Sequence, residues 1–214
     1  MQIDVIDELG WEPSVDAAAI GVTAHDGVVT LNGNVRSFAE KVAAGDAAER
    51  VLGVRAIAND IEVRPVGTGQ RTDADIAAAA ADAIAWRTTV PDERVKVAVT
   101  KGYITLDGEV DWHFQRASAE DAVRHLLGVR GVINNIAVTP RASVEDVKSR
   151  IDAALRRSAE LDAKRIRVES HEGKVVLRGD VPTWNERQEA ERTAWAAPGV
   201  TRVENFITIT PRLL

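Results

Sequence analysis

Apolar positions along the chain fall into two rhythms that take turns. At Val147, Ile151, Ala154 and Leu155 the spacing is i, i+4, i+7 and i+8, one stripe of a helix. Ile76, Ala80, Ala83 and Ile84 form the same stripe earlier, with Thr72 and Ser143 placed as the N-caps of the two helices. Strands of period two follow each stripe, beginning with Ile20 and Val22, Val95 and Val97, and Ile166 and Val168. Turns at His25-Asp26-Gly27, Thr100-Lys101-Gly102 and His171-Glu172-Gly173 lead into return strands, where glycine supplies the positive φ of a tight hairpin. The return strands alternate as Val29, Leu31, Val35; Ile104, Leu106, Val110; and Val175, Leu177, Val181. A second helix then starts at Ser37-Phe38-Ala39-Glu40 and Thr183-Trp184-Asn185-Glu186, both written as capping boxes. Its inner stripe is small (Ala44 and Ala48; Ala119 and Val123; Ala190, Ala194 and Ala197), which lets a helix lie close on a sheet. A last strand, ending Ile61-Glu62-Val63, Ile136-Ala137-Val138 or Ile207-Thr208-Ile209, stops at a proline.

These rhythms are one unit written three times. Residues 20–65 laid on 95–140 match at 17 of 46 positions without a gap. A further shift of 71 aligns Gly199, Val200, Val203, Asn205, Ile207 and Ile209 with the same pattern. The expected fold is α+β: three tandem α-β-β-α-β repeats, each a small three-stranded mixed sheet with two helices on one face. Repeat one spans 1–66, repeat two 72–140 and repeat three 143–212, with linkers at 67–71 and 141–142. No repeat is expected to hold a fourth strand. Units this small bury limited apolar surface, so they are expected to lean on one another. The shorter linker marks repeats two and three as the more tightly coupled pair.

The hairpin Asp26-Gly27-Val28-Val29-Thr30-Leu31-Asn32-Gly33-Asn34-Val35, the Ser-Phe-Ala-Glu helix start and the Gly-Val-x-x-Ile/Val-x-Asn-x-Ile-x-Val ending resemble the BON domain, named for bacterial osmotic-stress and nodulation proteins. The resemblance covers nearly the whole chain, three times over. It implies a non-enzymatic binding module for phospholipid surfaces or protein partners, linked to envelope integrity or osmotic stress. One member of that family, joined to a peptidoglycan-binding module, binds potassium, so small-ion sensing is a further implied reading.

Composition narrows the chemistry. With 45% apolar and 28% charged residues the chain has the balance of a globular protein. Zero cysteines exclude disulfides, thiol catalysis and thiolate metal sites. A net charge of −6 argues against nucleic acid as a partner. The acidic start, Met1 to Glu8, carries no export signal, and no apolar run is long enough to span a bilayer. The expected place is the cytoplasm, or the periphery of the inner membrane. The histidines His25, His113, His125 and His171 show no metal-ligand spacing, and no serine has a base beside it in a known motif. No catalytic residue, metal site or cofactor is expected.

Binding residues are easier to nominate. Asn59, Asn134 and Asn205 recur in all three repeats, as backbone ties or as the rim of an ion site. Five tryptophans are unevenly placed. Trp11 and Trp86 share a slot at the end of the first helix and are expected to cover the core. Trp112 stands where the sibling repeats have the caps Ser37 and Thr183, beside Phe114. Trp195 stands where they have Glu49 and Arg124, on a helix that begins at Trp184. Residues 1–70 hold 5 basic and 11 acidic groups, whereas residues 142–214 hold 13 and 12. The candidate lipid- or partner-binding set is therefore Trp112, Phe114, Trp184 and Trp195 with Arg156, Arg157, Lys164, Arg165 and Arg167. The leading expectation is an adaptor docking on anionic phospholipid. The alternative is a protein-interaction or self-assembly scaffold, with homo-oligomers.

Overall fold

A computed structural model describes residues 1–65, 71–139, 147–158 and 165–210. The expected cap Ser143, residues 67–70 of the first linker, the second linker and Lys164 lie outside the described residues.

Repeat one runs α1 (Gln2–Trp11), β1 (Ile20–His25), β2 (Val28–Val35), α2 (Phe38–Glu49) and β3 (Ala56–Val63). β1 pairs antiparallel with β2, Ile20 opposite Gly33, and β2 pairs parallel with β3, Val28 opposite Ala56. Repeat two continues with α3 (Asp73–Ala85), β4 (Val95–Thr100), β5 (Tyr103–Val110) and α4 (His113–Arg124). Its closing strand is broken into β6 (Gly131–Asn134) and β7 (Ala137–Val138), both paired with β5, so this sheet counts four strands where three were expected. The chain does not leave β5 at the break, because the Asn135 N–H still donates to the Leu106 carbonyl at 2.8 Å. Repeat three restores the plain order with α5 (Val147–Arg157), β8 (Ile166–His171), β9 (Lys174–Val181), α6 (Trp184–Trp195) and β10 (Arg202–Ile209).

Each hairpin closes on two residues of positive φ: Asp26 and Gly27 (48° and 80°), Lys101 and Gly102 (53° and 80°), Glu172 and Gly173 (46° and 78°). That is the turn whose twist matches the strands it joins. Glycine is needed again at Gly179, φ 139°, where a Cβ would run into the Arg165 carbonyl just before β8.

The helix starts use their caps as expected, with one displacement. Ser37 Oγ accepts from the Glu40 N–H at 3.1 Å, and Thr183 Oγ1 from the Glu186 N–H at 3.2 Å. The Glu40 carboxylate, however, accepts from the N–H groups of Arg36 (2.9 Å) and Asp16 (3.0 Å), tying the helix start to the loop before β1. A complete reciprocal box forms at Thr72 and Asp75.

The cores of repeats one and three close inside their own repeats. In repeat one, Val5 and Leu9 of α1 meet Val22, Val29, Leu31 and Val35 of the hairpin and Ala44 and Ala48 of α2. In repeat three the corresponding cluster is Val147, Ile151, Leu155, Val168, Val175, Leu177, Val181, Ala190 and Ala194. Every member of each cluster comes from its own repeat, and each large side chain so buried stabilises by about 1.5–3 kcal/mol. The compact units also differ from the expected pairing. Met1–Glu109 with Gln115–Ile136 forms one unit, and Val110–Phe114 belongs with the chain from Ala137 onward in the other.

Candidate functional site

The three recurring asparagines serve as clamps. Their Nδ2 groups donate to the carbonyls of Lys41 (3.0 Å), Arg116 (3.0 Å) and Arg187 (3.3 Å) on the second helix of each repeat. Their Oδ1 atoms accept from the N–H groups of Ile61, Ile136 and Ile207 two residues on. Cationic side chains from the same helices take the strand carbonyls: Lys41 that of Ile61, Arg116 that of Asn134, and Arg187 those of Asn205 and Ile207. Where an ion site would need open carbonyls, each repeat has already placed an ammonium or guanidinium group.

The nominated aromatic residues separate into two kinds. Trp195 packs partly against the core of repeat three, and His113 stacks on its ring at 4.1 Å between centroids and 14° between planes. Trp184 is half-buried, with the Arg187 guanidinium 5.2 Å from its ring centroid. Trp112 and Phe114 remain exposed, at 39% and 54%. Trp11 and Trp86, expected to cover the core, do the opposite: they are 81% and 86% exposed. The physical reason is their angle on the helix, two residues and so about 200° past Leu9 or Ile84, the last positions of the buried rows. Alignment of the repeats held the signal, since Arg157 occupies the same slot in repeat three.

The basic run of repeat three is likewise divided. Arg165 is held by an ion pair with Asp180. Arg156, Arg157 and Arg167 are exposed, and none has an ion-pair partner among the described residues. A groove of about 700 Å³ runs between α5 and β8, and Arg156, Arg165 and Arg167 line it together with Lys148 and Arg178. Two carboxylates, Asp152 and Glu169, share that lining, and Asp152 pairs with Lys148 at 3.4 Å. Arg178 lies 4.8 Å over the ring of Phe206. Sequence reasoning missed Lys148 and Arg178 because they join the groove only when α5 and the β8–β9 hairpin are folded together. His25 and His171 sit beside the hairpin turns with side chains 92% and 88% exposed, and no cluster of metal-ligating side chains occurs among the described residues. No helix among the described residues is long and apolar enough to cross a membrane.

Comparison with known proteins places this geometry. The chain is similar to osmotically-inducible protein Y of Escherichia coli (strain K12), with 32% identity over 132 residues, 58% of this chain and 63% of the relative. The match thus spans less than two thirds of that relative's length. Two solved structures of CdsD, a structural protein of the type III secretion system of Chlamydia trachomatis, one of them its C-terminal domain, each cover 98% of this chain. They span 92% and 96% of their own chains at 15% identity, with a TM-score of 0.28, and a superposition at that level carries no argument. The BON domain model matches at residues 3–65, 72–140 and 143–211. With an α-β-β-α-β unit, its hairpin glycine and its asparagine clamp repeated over those segments, the chain belongs to the BON domain family.

Proposed function

We propose that this protein is a non-enzymatic, stress-related binding module that docks on anionic phospholipid surfaces through repeat three. The observation that carries the reading is the convergence of Arg156 from α5 and Arg167 from β8, both without an ion-pair partner among the described residues, on one groove with Lys148 and Arg178. Arg157 extends the same positive surface on α5. Guanidinium groups match phosphate oxygens in a planar, bidentate geometry. The exposed rings of Trp112 and Phe114 fall in the same compact unit as repeat three and supply apolar contact at the headgroup level. Trp184 and Trp195 contribute by fixing α6. The name of the osmotically-inducible relative supports the stress-related setting.

Each Lys or Arg near an anionic bilayer contributes on the order of 1 kcal/mol, so docking is reversible and salt-sensitive. The test is flotation with vesicles of phosphatidylglycerol and phosphatidylcholine against phosphatidylcholine alone. The protein is expected to float with the anionic vesicles and to be released by salt. Reversing Arg156 and Arg167 to Glu is expected to leave it at the bottom of the gradient. Equal flotation of wild type and variant would remove the groove from the reading.

A further inference from the structure

The exposed tryptophans Trp11 and Trp86 have no role in the cores or in the basic groove. Each has an exposed aspartate one helical turn before it, Asp7 and Asp82. Side chains four apart on a helix are neighbours, so each pair presents an indole and a carboxylate together. In α3 the helical geometry reaches the ring's own residue, because the Trp86 N–H donates to the Asp82 carbonyl at 3.0 Å. In α1 the outer face around Asp7 and Trp11 is open: Ile3 is 72% exposed, Ile6 45%, and a Cβ added at Gly10 would meet nothing within 4 Å. Asp7, Trp11, Asp82 and Trp86 have no side-chain partner among the described residues.

An indole face beside a carboxylate is the chemistry that receives a cation, by the ring quadrupole and by charge. Repeat three carries the complement in the corresponding slots. Asp7 and Asp82 align with Ala153, and Trp11 and Trp86 align with Arg157. Ala153 and Arg157 are exposed on α5, and Arg157 has no partner among the described residues. A small residue one turn before the Arg157 guanidinium leaves room for the ring that would cover it. Charge runs the same way over the whole chain, with 11 acidic against 5 basic groups in residues 1–70 and 13 basic against 12 acidic in residues 142–214.

We infer that the Asp7–Trp11 and Asp82–Trp86 faces bind the Arg157 end of α5 on a second copy of this chain. The contact is heterologous, since the receiving and inserted surfaces differ, and it therefore builds rings or open chains. Its receiving faces are acidic and contribute nothing to the groove of repeat three, whereas Arg157 is shared with the positive surface of the lipid reading, so an anionic vesicle and a second copy would compete for that residue.

Sedimentation velocity on the full chain tests it at low salt, from about 10 µM to about 1 mM, where contacts of this strength register. The weight-average mass is expected to rise with concentration. Arg157→Glu, and separately Trp11→Ala with Trp86→Ala, is expected to weaken association about tenfold, the effect of losing one or two surface contacts. Melting curves should not move, because none of these side chains is packed. Combining Asp7→Arg and Asp82→Arg with Arg157→Asp is expected to recover part of the association. A mass that stays at the monomer throughout would overturn the inference, as would self-association indifferent to these substitutions. So would loss of vesicle flotation in the tryptophan variant with its mass profile unchanged, which would hand those faces to lipid.

Discussion

Asn59, Asn134 and Asn205 do in three places what no apolar residue could do: each joins a helix carbonyl to a strand N–H across the space between two elements. In repeats two and three the amide also donates to Glu120 and Glu191, at 3.1 and 2.9 Å. In repeat one that helix position is Gly45, where an added Cβ would lie 3.2 Å from the Asn59 amide nitrogen. Replacing Asn205 by Ala removes three hydrogen bonds and leaves partners on β10 and α6 to find water. The expected loss is about 1–3 kcal/mol, read from urea unfolding midpoints at constant slope. Asn59→Ala is expected to cost less, having no glutamate to strand. The threefold recurrence of asparagine was legible in the sequence; its duty as a clamp, with Lys41, Arg116 and Arg187 on the same carbonyls, was not, because those cations lie 18 or 20 residues from the strand groups they meet. Trp11 and Trp86 failed for another reason. A large apolar residue at a helix end reads as core, and a rotation of about 200° from Leu9 or Ile84 puts it in water.

At the scale of elements, the hairpins of each repeat and the helices α2, α3 and α6 follow from local rules: period-two alternation, glycine at positive φ, and a hydroxyl before the helix. What pins one element to the next is less local. Arg50 at the end of α2 reaches Glu8 at 2.7 Å and Glu12 at 3.2 Å, holding α1 against α2 from 38 to 42 residues away. Hydrogen bonds from the Ser14 hydroxyl and N–H, and then the Arg50 guanidinium, hold the Glu12 carboxyl below its ordinary value of 4.5. A carboxyl lowered in the folded state adds stability that is present above its unfolded value and is lost as pH falls through the folded one. The Arg50 part of that contribution therefore belongs to neutral pH. Arg50→Ala is expected to be less stable than wild type near pH 7, with the gap closing below about pH 4.5 as Glu12 is protonated. Urea midpoints of the two proteins at neutral pH and near pH 3 check this, and added salt at neutral pH should narrow the gap in the same direction.

Within the whole molecule, repeats one and three each carry a core of their own. Repeat order was readable from the spacing of its glycines and asparagines, but the grouping into compact units was not, because it depends on contacts outside the repeating pattern, such as His113 on Trp195. The core clusters of repeats one and three have no member in common and no member from a neighbouring repeat. Stability should then be distributed repeat by repeat, as in arrays whose units carry their own intrinsic terms. Gly179→Ala is a sharp probe of this. At φ 139°, with the Arg165 carbonyl where the new methyl must go, the substitution strains the β8–β9 pairing and is expected to cost at least about 2 kcal/mol. Hydrogen exchange followed by mass spectrometry reads where that cost is felt. Amides of Ile166–His171, Lys174–Val181 and Arg202–Ile209 are expected to lose protection. Those of Ile20–His25, Val28–Val35 and Ala56–Val63 should exchange as in the wild type. Equal loss of protection in both sets would mean that the chain unfolds as one cooperative body, and that interfaces beyond these two clusters couple the repeats.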